Sequence, residues 1–418
     1  MKRTSIAPNA ESPAAGRSKL KRSLTLPLVV LYGLGVTIGA GIYVLVGATA
    51  GVAGIYAPLS FALAALVMLP SACSFAELVG RLPVSAGEAA YVRSGFNSQT
   101  LAVTVGLLVV SAGTVSAAAI CLGSVGYIRQ FIDLEAAILI PTVVALMTLI
   151  AAWGVRESVT FAAIMTVIEI VGLLVVIVGG FVDTSSTSIP NRSTLPDGAT
   201  LMQIGFGVMS GGVLAFFAFI GFEDLVNMAE ETRNPGTILP RAIFLTLIIS
   251  TTLYVLVSIV AVLSVPIRQL ANAEAPLSLV FEVTTGASPT TISAIAIIAT
   301  LNGVIVQIIM GSRVLYGLAQ QGSLPIALGY VHPTTRTPLV ATGLIGALVL
   351  VLATLIPLKG LAELTSLITL TVFGLVNLSL WNIKRRNEPA PADTFITPSW
   401  VPLIGFMCCL TFLIIGLF

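Results

Sequence analysis

Thr37-Ile38-Gly39-Ala40-Gly41-Ile42 sits in the middle of an apolar run from Leu26 to about Ala53. A run of that length can cross a bilayer, which takes roughly 20 apolar residues as a helix. Gly39 and Gly41, with Gly35 before them, are an expensive choice for the centre of a helix. Each costs about 1 kcal/mol against alanine. Two physical reasons would justify them. Either the missing side chains let another helix come close, or the helix is broken and its freed backbone groups line a cavity. Inside a membrane, irregular backbone is tolerated only when buried in protein or facing such a cavity.

The rest of the chain sets the context. It has 418 residues, 56% hydrophobic and only 9% charged, against about 25% charged in a soluble domain. The apolar runs are long and lack the period-2 alternation of barrel strands, so the class is an all-α polytopic membrane protein. Eleven spans are expected, at about 26–53, 55–76, 101–127, 136–153, 158–182, 204–228, 242–266, 290–318, 338–357, 361–381 and 400–418. The first 25 residues are basic and polar. The apolar run after them is too long for a cleavable leader and reads as the first span. Of the 20 lysines and arginines, only Arg129, Arg192, Arg268 and Lys359 fall on the side opposite the N-terminus. The positive-inside rule therefore predicts a cytoplasmic N-terminus in the cell membrane.

Composition also excludes functions. A net charge of +2 carries no message for nucleic acid. Cys73, Cys121, Cys408, Cys409 and the single His332 have no metal-ligand spacing, so no metal or cofactor is expected. No set of catalytic side chains is present, which argues against an enzyme. A channel would need a continuous polar lining or charged rings, and no span offers one. Gly33-x-Gly35 and Gly39-x-Gly41 fail the G-x-G-x-x-G spacing of a nucleotide site, with Ile38 in the wrong place and no strand before it. Asn191-Arg192-Ser193 matches a glycosylation sequon by pattern only.

A second interruption lies in span six, at Phe216-Phe217-Ala218-Phe219-Ile220-Gly221-Phe222-Glu223-Asp224. It follows the first by five spans. Five is odd, so 26–182 and 204–382 would run with opposite orientation, joined by an outer loop at 183–203. An inverted repeat with matching broken helices is the best sequence pointer to a transporter site near mid-membrane. An inner loop at 383–399 then leads to one extra helix at 400–418.

The segment after the second interruption reads Ala229-Glu230-Glu231-Thr232-Arg233-Asn234-Pro235, then Pro240-Arg241-Ala242-Ile243. With Gly221-Phe222-Glu223 it resembles the amino acid–polyamine–organocation superfamily of transporters. Ile38-Gly39-x-Gly41-Ile42, Arg81-Leu82-Pro83 with Ala86-Gly87-Glu88, and Ala299 to Asn302 through Ser312-Arg313 and Gly322 to Pro325 also match. The resemblance implies a leucine-transporter-like fold, a 5+5 inverted repeat plus one extra helix. That superfamily usually has twelve spans; eleven are expected here.

The broken helices suit an amino acid zwitterion. Free N–H groups at Gly39, Ala40, Gly41 and Ile42 would take its carboxylate at a helix N-terminus. By resemblance, the carbonyls of Ile38, Phe217, Ala218 and Ile220 would take its ammonium, and Phe217 would gate the substrate, with Phe219 and Gly221 beside it. Glu169 is the only ionisable residue in the interior of span five. Intramembrane ionisable groups are functional hypotheses by default, and Glu169 is read as a proton carrier. Some relatives hold Lys at what looks like this position. Thr300, Asn302 and Glu223 are further candidates at the site. Span three has no carboxylate near its middle; by resemblance Ala112 occupies the place where cationic amino acid transporters tend to have Glu. The expected function is proton-coupled symport of neutral amino acids by alternating access. An amino acid or amine exchanger, a polyamine or ethanolamine carrier, and a transport-dead sensor remain as alternatives.

Overall fold

A computed structural model describes residues 22, 24–84, 87–153, 159–183, 200–335 and 337–417. The basic tail up to residue 21, Ala86, Arg156, Arg336, the Asn191-Arg192-Ser193 loop and the side chain of Ala40 lie outside the described residues.

Fourteen α-helices are present among the described residues. The long apolar ones are α1 (Leu26–Ala53), α2 (Ala57–Arg81), α4 (Gln99–Ile128), α5 (Ala136–Trp153), α6 (Val159–Asp183), α7 (Leu201–Phe217), α8 (Pro235–Ser264), α11 (Thr290–Gln320), α12 (Leu339–Leu355), α13 (Leu358–Arg385) and α14 (Val401–Gly416). Three short helices, α3 (Gly87–Phe96), α9 (Ile267–Ala271) and α10 (Pro276–Thr285), lie in connections. Eight helical stretches are long and apolar enough to cross a membrane. Shorter apolar ones lie at Leu26–Gly39, Leu339–Leu355 and Val401–Gly416. Each of the eleven expected spans coincides with one of the long helices, the sixth with α7 and the turn that follows it.

Local chemistry sets several ends. Thr200 and Gln203 form a capping box at the start of α7, satisfying N–H groups that a helix N-terminus leaves free. Ser98 accepts from Leu101 N at the start of α4. Prolines in the first turn open α1, α2, α8, α10 and α14, where a missing N–H costs nothing. One expectation is corrected. The first span is not interrupted: α1 is α-helical from Leu26 to Ala53, through Gly39 and Gly41.

The packing has two centres. α1 lies against α6, α7 and α8, and α2 lies against α7 and α8. α4 lies against α11, α12 and α13, and α5 against α12. On the face that carries the chain's start, Leu24 exchanges backbone bonds with Glu231 and Arg233. On that same face Glu77, at the end of α2, is fully buried. Its carboxylate takes Arg81 at 2.9 Å and Lys384 at 2.8 Å. It also accepts from the backbone N–H and hydroxyl of Thr397, at 2.8 and 2.9 Å. One side chain thus joins α2, α13 and the segment leading into α14.

Candidate functional site

α7 stops where its sequence turns aromatic. After Phe217 the N–H groups of Ala218, Phe219 and Ile220 bond three residues back instead of four, which tightens and ends the helix. Gly221 then adopts φ +126°, and a Cβ there would meet Val36 of α1 at 2.8 Å from its Cγ1. Both the backbone angle and the close approach demand glycine. The chain resumes as a 3₁₀ helix over Phe222–Met228. The Glu223 carboxylate folds back to accept from Gly221 N at 2.8 Å. The interruption expected in span six is therefore present.

Gly41 faces that interruption. A Cβ on Gly41 would lie 2.6 Å from Ala218 Cβ and 2.8 Å from its carbonyl oxygen. Close packing, the first of the two reasons for these glycines, is what α1 shows here. Ile38 and Ile42 are fully buried beside it. Tyr254 of α8 spans the contact: its hydroxyl lies 2.7 Å from Thr37 O and 2.9 Å from Ala218 O. Two of the carbonyls expected to take an ammonium are thus engaged, Ala218 with Tyr254 and Phe217 with Ile220 N. Phe217 is buried, and Phe219 packs its ring on Tyr254 at 5.0 Å between centroids.

On the opposite side of α1 lies Glu169 of α6. It is 1% exposed, and neither carboxylate oxygen has a hydrogen-bond partner among the described residues. Its Oε2 is 3.7 Å from where a Gly39 Cβ would sit. Tyr43 donates to the Glu169 carbonyl at 2.9 Å, and Tyr127 donates to the Tyr43 carbonyl at 2.6 Å. Thr37 Oγ1 is buried and without a partner as well. Thr300 spends its hydroxyl on Ala296 O at 2.7 Å, and Asn302 is half-buried on α11.

A small cavity lies beside Ile220, between α4, α11, α13 and the Phe222–Met228 segment. Ala112, Ser116, Gln307 and Thr369 line it along the long helices. Glu88 of α3, Glu223 and Asp224 line it as well, and all three carboxylates are buried. Burial pushes the Glu88 carboxyl up to about 7. Of the expected site residues, Ile220 and Glu223 meet this cavity; Gly39, Gly41, Thr300, Asn302 and Glu169 do not line it.

Sequence reading missed the tyrosines and Glu88. Tyrosine in an apolar helix needs a partner for its hydroxyl, so Tyr43, Tyr127 and Tyr254 could have been sought as cross-links. Their partners are backbone carbonyls, which no side-chain pattern announces. Tyr254→Phe keeps the ring contacts with Phe61 and Phe219 and loses the hydroxyl alone. It is expected to lower stability by about 1–2 kcal/mol, read as a drop in the melting temperature of the detergent-purified protein.

Comparison with known proteins agrees with the architecture. A family model described as amino acid permease matches residues 24–418. The branched-chain amino acid permease BcaP of Bacillus subtilis (strain 168) is 31% identical, over 96% of this chain and 90% of its own. The cationic amino acid transporter 4, vacuolar, of Arabidopsis thaliana is 30% identical, over 93% of this chain and 66% of the relative. The methylthioribose transporter of Bacillus subtilis (strain 168) is 29% identical, over 96% and 90%. With its helical fold and interrupted α7, the chain belongs to the amino acid permease family of the amino acid–polyamine–organocation superfamily, a family of membrane transporters and not of enzymes.

Proposed function

We propose that this chain is a secondary active transporter that carries amino acids across the cell membrane by alternating access, in symport with a proton. The observation that carries the transport reading is the reciprocal packing of two helix sets. Pair α1, α2, α4, α5 and α6 with α7, α8, α11, α12 and α13. Under that exchange α1 on α8 becomes α7 on α2, α4 on α13 becomes α11 on α6, and α4 on α12 becomes α11 on α5; all of these contacts are present. Even the connecting helices obey it: α3 packs on α13 and α4, and α10 packs on α6 and α11. Such reciprocity supports a 5+5 inverted repeat, with α14 as the eleventh span. Two inverted halves around one site can tilt to open it to either side. The lysine and arginine distribution supports an N-terminus in the cytoplasm.

In this reading the substrate sits where α1 meets the interrupted end of α7, against Ile38–Ile42 and Phe217–Gly221. The closed contact of Gly41 with Ala218 then belongs to a state without substrate, and α1 must loosen at Gly39 and Gly41 to offer its N–H groups. Glycine lowers the cost of that loosening. Glu169 is the proton carrier. A carboxylate held in the interior with two unpartnered oxygens costs several kcal/mol as an ion, so it favours the protonated form whenever water is excluded. Ala112 brings no counter-charge from α4, which favours a neutral side chain.

Purified protein in liposomes tests this directly. Labelled leucine uptake is expected to accelerate at least tenfold under an inward proton gradient. Glu169→Gln is expected to remove that acceleration while substrate binding persists. If Glu169→Gln keeps gradient-driven accumulation, Glu169 is not the carrier. Uptake only against internal substrate would make the protein an exchanger, and binding without uptake would make it a sensor.

A further inference from the structure

Glu169 and Tyr43 each sit over a glycine of the other's helix. On α1 the row Gly35, Gly39, Tyr43 advances by four residues; on α6 the row Thr166, Glu169, Gly172 advances by three. Each row keeps to one face of its helix, and rows of these two kinds interdigitate when helices pack. The contacts follow that register. A Cβ on Gly35 would run into Thr166 Oγ1. A Cβ on Gly39 would sit 3.7 Å from Glu169 Oε2, and a Cβ on Gly172 would sit 3.0 Å from the Tyr43 hydroxyl oxygen. Gly39 makes room for the carboxylate, and Gly172 makes room for the phenol.

One hydrogen bond closes this joint, from the Tyr43 hydroxyl to the Glu169 carbonyl at 2.9 Å. Tyr43 is fully buried and is held from behind by Tyr127 of α4, which donates to its carbonyl at 2.6 Å and sets its ring edge-on at 6.5 Å. A buried tyrosine needs an acceptor, and any carbonyl of α6 would serve. The one it takes belongs to Glu169. That carbonyl lies inside α6, where the helix itself already supplies an N–H donor. The extra bond is not needed to satisfy it; what the bond adds is a fixed register between α1 and α6.

We propose that Tyr43 is the positioning residue of Glu169, keeping the carboxylate sealed over Gly39 until α1 moves, so that proton exchange waits for substrate. This rests on the reading of Glu169 as proton carrier and adds what regulates it. Gly39 and Tyr43 are one turn apart on the same helix, so a shift of α1 withdraws the notch and the bond together. Without the bond, α6 can part from α1 with no substrate present, and water reaches the carboxylate. One buried hydrogen bond is worth roughly two- to tenfold in the population of such an opening. Tyr43 and Tyr254 are within reach of the Glu169 charge. No acidic or basic side chain among the described residues acts on Glu169 through its own charge.

Liposomes carrying the purified full-length protein and a trapped pH dye test this, with proton entry and labelled leucine entry read together. Tyr43→Phe keeps the ring and loses the hydroxyl. Under an inward proton gradient without leucine, its proton entry is expected to rise about two- to tenfold over the parent, and its ratio of leucine to protons to fall. Glu169→Gln added to Tyr43→Phe is expected to abolish that leak. Gly172→Ala attacks the joint from the other helix: its Cβ would crowd the Tyr43 hydroxyl at 3.0 Å and Ile295 Cγ2 at 3.1 Å, and the same leak is expected. The pair Tyr43→Phe with Gly172→Ala should leak no more than Tyr43→Phe alone, because the added methyl finds no hydroxyl to displace. Asn377→Ala controls for lost stability. It removes a buried bond from α13 to Ser71, 2.8 Å long, and is expected to melt lower without leaking.

Parental proton entry in both Tyr43→Phe and Gly172→Ala overturns the proposal. An equal leak in Asn377→Ala does so too, as does a leak that survives Glu169→Gln. The carrier reading stands after any of these as long as Glu169→Gln alone abolishes gradient-driven uptake. If Glu169→Gln alone keeps that uptake, the carrier reading fails and this inference fails with it.

Discussion

Glu77→Ala is expected to destabilise the protein by about 3–5 kcal/mol, the usual consequence of removing one partner from a buried ion pair. The magnitude follows from what is left behind. Lys384 and Arg81 have side chains only 8% and 10% exposed, so neither can turn fully into water. Lys384 would retain Thr397 O at 2.7 Å and Arg81 would retain Glu388 O at 2.9 Å. Thr397 loses the acceptor for both its N–H and its hydroxyl. Glu77→Gln, which can still accept from Thr397 but carries no charge, should fall between the two. Thermal unfolding in detergent at one scan rate would read the order. If Glu77→Ala melts with the parent protein, the cluster contributes nothing and the segment before α14 is held by packing alone.

Gly41→Val is the second large effect, and it should appear with no substrate present. A Cβ there meets the Cβ and carbonyl of Ala218, and backbone cannot move aside as a flexible side chain would. Overpacking of this kind costs typically 1–3 kcal/mol and at times more. Gly39 is different. A Cβ on Gly39 would sit 3.3 Å from Ala299 O and 3.7 Å from Glu169 Oε2, tight but short of a collision. Gly39→Ala should therefore melt within about 1 kcal/mol of the parent. A matching loss of substrate affinity in Gly39→Ala, measured by binding, would tie that glycine to the ligand. Unchanged affinity in Gly39→Ala would mean that both glycines serve helix packing, and the proposed substrate position would be wrong.

The fold was legible because membrane solvation writes it into composition. Apolar runs must be helices when no water can satisfy their backbone, and every expected span coincides with one. The starts were harder. α8 begins at Pro235, seven residues before the expected 242, because its first turns carry Arg241 and two prolines and do not read as apolar. α3 and α10 are too short and mixed to stand out. At the site, the interruption after Phe217 was legible from Gly221. The same reading applied to Gly39 and Gly41 expected a break where α1 runs through. Glycine signals close approach and chain reversal alike; only the partner, here the Ala218 backbone, tells them apart. Of the three carboxylates at the cavity only Glu223 was legible as a candidate, since Glu88 and Asp224 are 136 positions apart and meet only through the fold.

The Tyr254 hydroxyl has a further consequence. It has one proton and two backbone oxygens to serve, Thr37 on α1 and Ala218 at the end of α7. A divided proton binds each oxygen less firmly than an undivided one. If α1 moved off, as the proposed transport cycle requires, the proton would pass wholly to Ala218, and the stronger bond would offset part of what was lost. In that proposed cycle the seam between the two helices would be latched by a bond that hands over rather than snaps.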